Sequence, residues 1–224
     1  MLAAASLGAT GEWVLHQSYF RVQHVTFVGV HHEPLAQILV ASGLDAHPTM
    51  IGVNAPTVKR NLARFTWISG LSVVKHWPNT LEVTVHESTA VAVAFNDRHV
   101  LQYVDVGGRD LGVAPLHANL PTLQFLSPRN AAWPFAHAGR AMAYVASQLP
   151  PAFSSQVSVI TEDAKGVITF KMTTPVTFVL GPPTQLHAKF VAIASVIAHT
   201  MLRPGDVVDA TVPDELAVTG PAPS

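Results

Sequence analysis

The sequence predicts an α+β fold. An N-terminal unit of β-α-α-β-β order places two helices on a three-stranded sheet, and a second mixed β-sheet unit follows with two amphipathic helices. Three observations lead there. Leu81, Val83 and Val85 alternate with Glu82, Thr84 and His86, the period-2 pattern of a strand with one buried face. Two short apolar stripes at helical spacing lie between an early β-prone run and this strand. Beyond residue 88, β-prone runs punctuated by Gly and Pro are interleaved with two longer helical stripes.

Residues 20–30 supply the first β-prone run, with Phe20, Val22, Val25, Phe27 and Val28 closed by Gly29. Pro34 is suited to open a helix because its fixed φ is already helical. Leu35, Ile38 and Leu39 then share a face, and Gly43 stands where a left-handed C-terminal cap belongs. Asn54 is placed to cap a second helix, with Val58, Leu62 and Phe65 at i, i+4 and i+7. Val73 and Val74 belong to the next β-prone run. Trp77-Pro78-Asn79-Thr80 then reverses the chain, since Pro78 offers no N–H and Asn79 tolerates turn conformations. Two helices on one face of the resulting sheet bury both stripes.

The second unit opens with Val91, Val93 and Phe95 alternating with Ala92 and Ala94. Residues 100–104 form a strand, and Asp105-Val106-Gly107-Gly108 turns the chain into 111–113. Leu120-Pro121-Thr122-Leu123 reads as a rigid exit. Within 135–149, Ala138, Met142, Val145 and Leu149 have helical spacing. Strands follow at 157–161, 167–172 and 176–180. The clearest helix spans 184–201, with the stripe Leu186, Phe190, Ile193, Ile197 and Met201, and with Lys189 read as a snorkelling surface residue. Residues 207–212 and 216–218 are terminal strands split by Pro213-Asp214-Glu215. By composition, 219–224 is a disordered tail.

Composition narrows the function. Hydrophobic residues make up 49% and charged residues 12% of the 224, enough for a packed core and wrong for a disordered chain. Lys and Arg number 13 against 14 Asp and Glu, so no basic excess exists to hold a phosphate backbone and nucleic acid is not an expected partner. Cysteine is absent, which excludes disulfides, thiol catalysis and Cys-ligated zinc. The 12 histidines nearly equal the Lys and Arg count, so surface charge should respond to mild acid. Residues 1–19 begin with the apolar run Met-Leu-Ala-Ala-Ala-Ser-Leu-Gly-Ala, which is about half the ~20 residues a membrane helix needs and lacks a basic leader. By themselves they read as a frayed end or as the last turns of a membrane helix.

No reactive centre emerges. His32-Glu33 and His86-Glu87 would need a second His three residues later to bind zinc from one helix face, and Ala36 and Ala90 stand there. Adjacent His31 and His32 diverge and read as loop histidines. Gly107-Gly108 lacks the Lys-Ser/Thr and the helix of a phosphate loop. No Gly-x-Ser-x-Gly is present. Trp13, Trp67, Trp77 and Trp133 are dispersed, as packing residues are. The expectation is no enzyme, no cofactor and no metal.

The pattern Phe20-x-Val22-x-x-Val25-x-Phe27-x-Gly29, then Gly43-Leu44, the Val58/Leu62 helix, and Val73-Val74-Lys75-x-Trp77-Pro78-Asn79-Thr80-Leu81-x-Val83-x-Val85-x-Glu87 resembles a POTRA (polypeptide-transport-associated) domain. Its continuation resembles the FtsQ/DivIB family of bacterial cell-division proteins. That continuation is Val104-Asp105-x-x-Gly108, Leu120-Pro121-Thr122-Leu123, Val179-Leu180-Gly181, Lys189 and Val208-Asp209. The resemblance implies a residual membrane-helix end or juxtamembrane segment at 1–19, a POTRA domain at 20–87 and an FtsQ-type β domain at 88–218. It implies a single-pass protein of the cytoplasmic membrane with its bulk on the extracytoplasmic side. It also implies a non-enzymatic divisome scaffold that recruits partners of the FtsB and FtsL type and contacts other divisome members through the POTRA domain. Two positions depart from the family pattern: Glu87-Ser88-Thr89-Ala90 replaces Glu-Arg-x-Pro, and Ala210 or Thr211 stands where an Arg is usual.

A late strand followed by turn residues should lie at a sheet edge, where unpaired N–H and C=O groups accept a partner's strand. The expected partner-binding residues are Val207, Val208, Asp209, Ala210, Thr211, Val212, Leu216 and Val218. The alternation Val208, Ala210, Val212 motivates the choice, and Ala210→Pro should remove an edge donor. In the competing arrangement, 207–212 is an internal strand covered by 216–218. The alternative function is a POTRA chaperone module of protein transport or outer-membrane assembly, which calls for repeated POTRA units or a barrel.

Overall fold

The computed structural model describes residues 20–126 and 137–220. The expectations for residues 1–19, for Trp133 and for the last four residues lie outside them. Contacts divide the chain into two compact units at Ser88/Thr89.

The first unit has the predicted β-α-α-β-β order: β1 (His24–Val28), α1 (Leu35–Ser42), α2 (Ala55–Asn61), β2 (Ile68–His76) and β3 (Thr80–Glu87). The sheet order is β1-β3-β2, with β3 parallel to β1 and antiparallel to β2. The helix ends follow their sequence signals. Gly43 ends α1 at φ 76° with its N–H on the Val40 carbonyl. Asn54 Oδ1 accepts the Thr57 N–H at 2.9 Å, satisfying one of the orphan donors of α2. The alternation in β3 puts Leu81, Val83 and Val85 into a core with Ile38, Val58 and Leu62. Gly29 is required where the chain leaves β1: its φ is +83°, and a Cβ there would lie 2.3 Å from the Val85 carbonyl oxygen.

The second unit contains β4 (Ala90–Phe95), β5 (Leu101–Asp105), β6 (Asp110–Val113), β7 (Thr122–Phe125), α3 (His137–Gln148), α4 (Pro151–Ser154) and β8 (Val157–Glu162). It continues with β9 (Ile168–Met172), β10 (Thr177–Gly181), α5 (Leu186–His199), β11 (Val207–Asp209) and β12 (Ala217–Thr219). Its nine strands make one sheet in the order β12-β11-β10-β9-β8-β7-β4-β5-β6. The joins β4–β7, β7–β8 and β10–β11 are parallel. Met142, Val145, Phe190 and Ile193 from α3 and α5 share a core with Ile160, Phe170, Phe178 and Val208. The turn between β5 and β6 is built by Asp105, whose carboxylate accepts Arg109 N–H and Nε–H, both at 2.8 Å.

Three expectations need correction. Residues 120–123 are not merely an exit: Thr122–Phe125 is an inner strand, paired with β4 and β8. The stripe of the last helix is buried only through Ile193, the helix ends at His199, and Met201 is 96% exposed. Lys189 is no surface residue. It is 1% exposed, and its Nζ donates to the carbonyls of Leu180 at 2.6 Å and Pro182 at 2.9 Å.

Candidate partner-binding edge

The end of the large sheet is assembled outward from β10. Its Val179 carbonyl accepts the Ala210 N–H at 2.8 Å, and its Thr177 N–H donates to the Asp206 carbonyl at 3.0 Å. Backbone groups alternate sides along a strand. The groups of Val208 therefore also turn to β10, and those of Val207 and Asp209 turn to β12. The β11–β12 register pairs Val207 with Thr219, Val208 with Val218 and Asp209 with Ala217. Ala217 and Thr219 thus answer Asp209 and Val207, and the N–H and C=O of Val218 turn away from the sheet.

This corrects the sequence-based edge. Residues 207–209 are flanked on both sides, by β10 and by β12. Val208 and Ala210 are fully buried, so their alternation marks the core face and not an exposed ladder. The Ala210 N–H already serves the β10–β11 join, so it is not an edge donor. Of the expected residues, only Val218 lies in the outermost strand. Thr211 lies in the turn beyond β11, Val212 is half exposed, and Leu216 packs partly against the core. Sequence reasoning placed a strand at 216–218 beyond the Pro213-Asp214-Glu215 break but left Ala217 and Thr219, which lie on this edge, out of the partner-binding residues.

One row of side chains crosses the sheet to this edge. Register pairs link Leu123 to Ile160, Ile160 to Phe170, Phe170 to Phe178, Phe178 to Val208 and Val208 to Val218. Cross-strand partners share a face. The first five are buried, and Phe170 and Phe178 stack at 5.0 Å between ring centroids. The row ends at Val218, which is 42% exposed. A strand added beyond β12 would find backbone donors and acceptors at Val218 and an apolar row to prolong.

Two devices fix the edge. Asp209 Oδ1 accepts the Thr211 N–H at 2.9 Å, and bonding from the Thr211 side chain and N–H holds its carboxyl below the usual range. Lys189 ties α5 to the end of β10, and burial pushes its ammonium pKa down. Gly181 completes that end: a Cβ there would sit 2.9 Å from Thr211 Cγ2, at a φ of +66°.

In the first unit His31 and His32 cluster at Glu87. Glu87 accepts the backbone N–H of His31 at 2.9 Å and of His32 at 3.2 Å, and lies 2.6 Å from His32 Nδ1. The His32 ring stacks on Trp67 at 3.7 Å. Burial pushes the Glu87 carboxyl up, but the combined bonds from His31 and His32 outweigh it and leave it lowered. His32 is thus a clamp between β3 and the chain leading to α1, more than a solvent-facing loop residue. Among the described residues no three His, Asp or Glu side chains converge as metal ligands.

Comparison with known proteins agrees with this architecture. Residues 20–88 match the family model of the FtsQ-type POTRA domain. A cell division protein FtsQ of Zymomonas mobilis is 33% identical over 110 residues, covering 49% of this chain and 34% of its own length. The FtsQ of Streptomyces bingchenggensis is 26% identical over 131 residues, 58% of this chain and 49% of the relative. That of Myxococcus fulvus is 26% identical over 86 residues, 38% and 30% of the two chains. The chain spans about a third to a half of the length of the curated relatives it matches.

Proposed function

We propose that this chain, which belongs to the FtsQ/DivIB family of cell-division proteins, is a non-enzymatic scaffold that recruits division partners by strand addition. In this reading residues 20–87 are the POTRA domain and 88–218 the β domain. The bulk of the chain works outside the cytoplasmic membrane, held there by a single span. Among the described residues no helix is long and apolar enough to cross a membrane. The partners are of the FtsB and FtsL type, and other divisome members meet the POTRA domain. The docking strand is β12, with Ala217, Val218 and Thr219 in contact and β11 as its support.

One observation carries the reading: the buried row from Leu123 to Val208 ends on a half-exposed Val218 whose backbone groups face outward. Strand addition draws affinity from main-chain bonds and specificity from alternate side chains. Its test uses an extended FtsB-derived peptide and the same peptide with successive backbone N-methylations. Strand addition predicts that methyl groups of one parity abolish binding and those of the other parity are tolerated. Equal tolerance at both parities would reject it.

A further inference from the structure

The end of the first unit opposite Glu87 gathers apolar and cationic side chains that the fold itself does not bury. The reversal between β2 and β3 projects Trp77, 52% exposed, and the loop before α2 projects Ile51, 46% exposed. Phe20 meets Trp77 edge to face at 6.0 Å between centroids. The backbone at this end is tied together: Met50 N–H bonds the Phe20 carbonyl at 2.9 Å, and Arg21 bridges to Thr49. The two cations sit among these groups. Lys75 Nζ reaches the Ile51 carbonyl at 3.4 Å, and an Arg21 guanidinium nitrogen reaches the His47 carbonyl at 3.4 Å. Among the described residues neither cation makes an ion pair with a carboxylate. Glu82, on the neighbouring strand, is engaged by His76 at 3.2 Å.

We propose that this end of the first unit is a lipid-contacting surface. Trp77 and Ile51 would enter the interfacial layer of a membrane, and Arg21 and Lys75 would meet anionic headgroups. The inference rests on the membrane placement proposed above. Tryptophan favours the bilayer interface because one edge of its ring is polar and the rest apolar. Long cationic side chains keep their stems in apolar surroundings and their charges at the headgroups. Glu12 is the one charged residue, counting Asp, Glu, Lys and Arg, in the 19 that lead into Phe20, so the sequence before this surface is nearly free of charge. Strand direction separates the two ends of the unit. β1 begins beside Thr80 and runs with β3 towards Glu87, so Leu35, which follows the Glu87-bound His32, belongs to the far end.

The absence of cysteine allows a single nitroxide to be placed at Ile51→Cys, with Leu35→Cys as the far-end control. The full chain is mixed with vesicles of phosphatidylcholine alone and of phosphatidylcholine with phosphatidylglycerol. The expected result on anionic vesicles is more oxygen collision and less collision with a water-soluble nickel chelate at position 51, and no change at position 35. Trp77→Ser should lower partitioning roughly tenfold on both vesicle types, and the double change Arg21→Ser, Lys75→Ser should lower it on anionic vesicles alone. Failure to sediment with vesicles would overturn the proposal. So would an unaltered nickel collision rate at 51 in the bound chain, or a label already protected without lipid, which would show the surface covered by protein. Titration of the same labelled chain with the FtsB-derived peptide reads strand addition separately. A chain that binds peptide but not lipid refutes the lipid surface and leaves the scaffold reading standing.

Discussion

The two ends of the nine-stranded sheet are finished in opposite ways. At β6, Asp110 lies inside the strand, and its Oδ1 takes the Gly112 N–H at 2.7 Å. The ladder to β5 slips there, and Gly112 stands at φ 118°. A charge and a bulge on an edge strand discourage a further strand from pairing. At β12 the sequence is Ala217-Val218-Thr219, without charge, and the ladder to β11 keeps its register. Length does not separate the two edges, since both strands are short. They differ in whether side chains and backbone geometry have closed the ladder. A sheet that protects one end and leaves the other plain has a preferred place for an added strand.

The comparison can be broken most severely from inside. Ala210→Pro deletes the bond to Val179 and forces a ring into a buried site, so unfolding measurements should show a loss on the order of 3 kcal/mol, with peptide binding lost as a consequence. If the variant folds normally and only binding falls, Ala210 is an edge donor after all. Lys189→Met leaves the Leu180 and Pro182 carbonyls without their donor and should cost about 1–3 kcal/mol in chemical denaturation, loosening the support of β11. The sharper pair of variants is Val218→Pro and Val113→Pro. The first should weaken partner peptide at least about tenfold, equivalent to about 1.4 kcal/mol, with the circular dichroism spectrum retained. The second, at the opposite edge, should leave affinity unaltered, and equal losses would erase the distinction between the edges. Asp110→Ala should cost about 1 kcal/mol of stability with no change in peptide affinity.

The smallest effect is that of pH. Asp209 and Glu87 are both held below the ordinary carboxylate range. A group with a depressed folded-state pKa adds stability above its unfolded value, and that stability is lost as pH falls through the folded value. Thermal unfolding followed from neutral pH down through about pH 4 and below should therefore show declining stability. Thr211→Ala should flatten the share that belongs to Asp209. A profile unchanged by Thr211→Ala would remove that bond from the support of the edge.

Local signals were the legible ones. Asn54 caps its helix through its own side chain, Gly43 adopts the left-handed turn its position calls for, and the alternation from Leu81 to Val85 faces the core as written. What failed was non-local. Thr122–Phe125 has too few residues to show a period, and its strand character comes from pairing with Val159, Ile160, Thr161 and Glu162 far along the chain. Lys189 could have been read correctly. It lies three residues after Leu186 and four before Ile193, on the buried stripe, and its charge was given more weight than its spacing. The expected edge failed by one strand, because alternation at Val208 and Ala210 reports a buried face and is silent on lateral neighbours.

Sequence alone therefore determined most of the element types, the α+β class, the caps and reversals, and a family resemblance legible in the order of the Trp77-Pro78-Asn79-Thr80 reversal and the Asp105-x-x-Gly108 turn. These depend on backbone preferences and side-chain periodicity within a few residues of chain. Only the tertiary structure decided which strand is outermost, which ammonium is buried and which row of side chains ends in solvent. Each of those is set by hydrogen-bond partners brought together from distant parts of the chain, and periodicity holds no record of who those partners are.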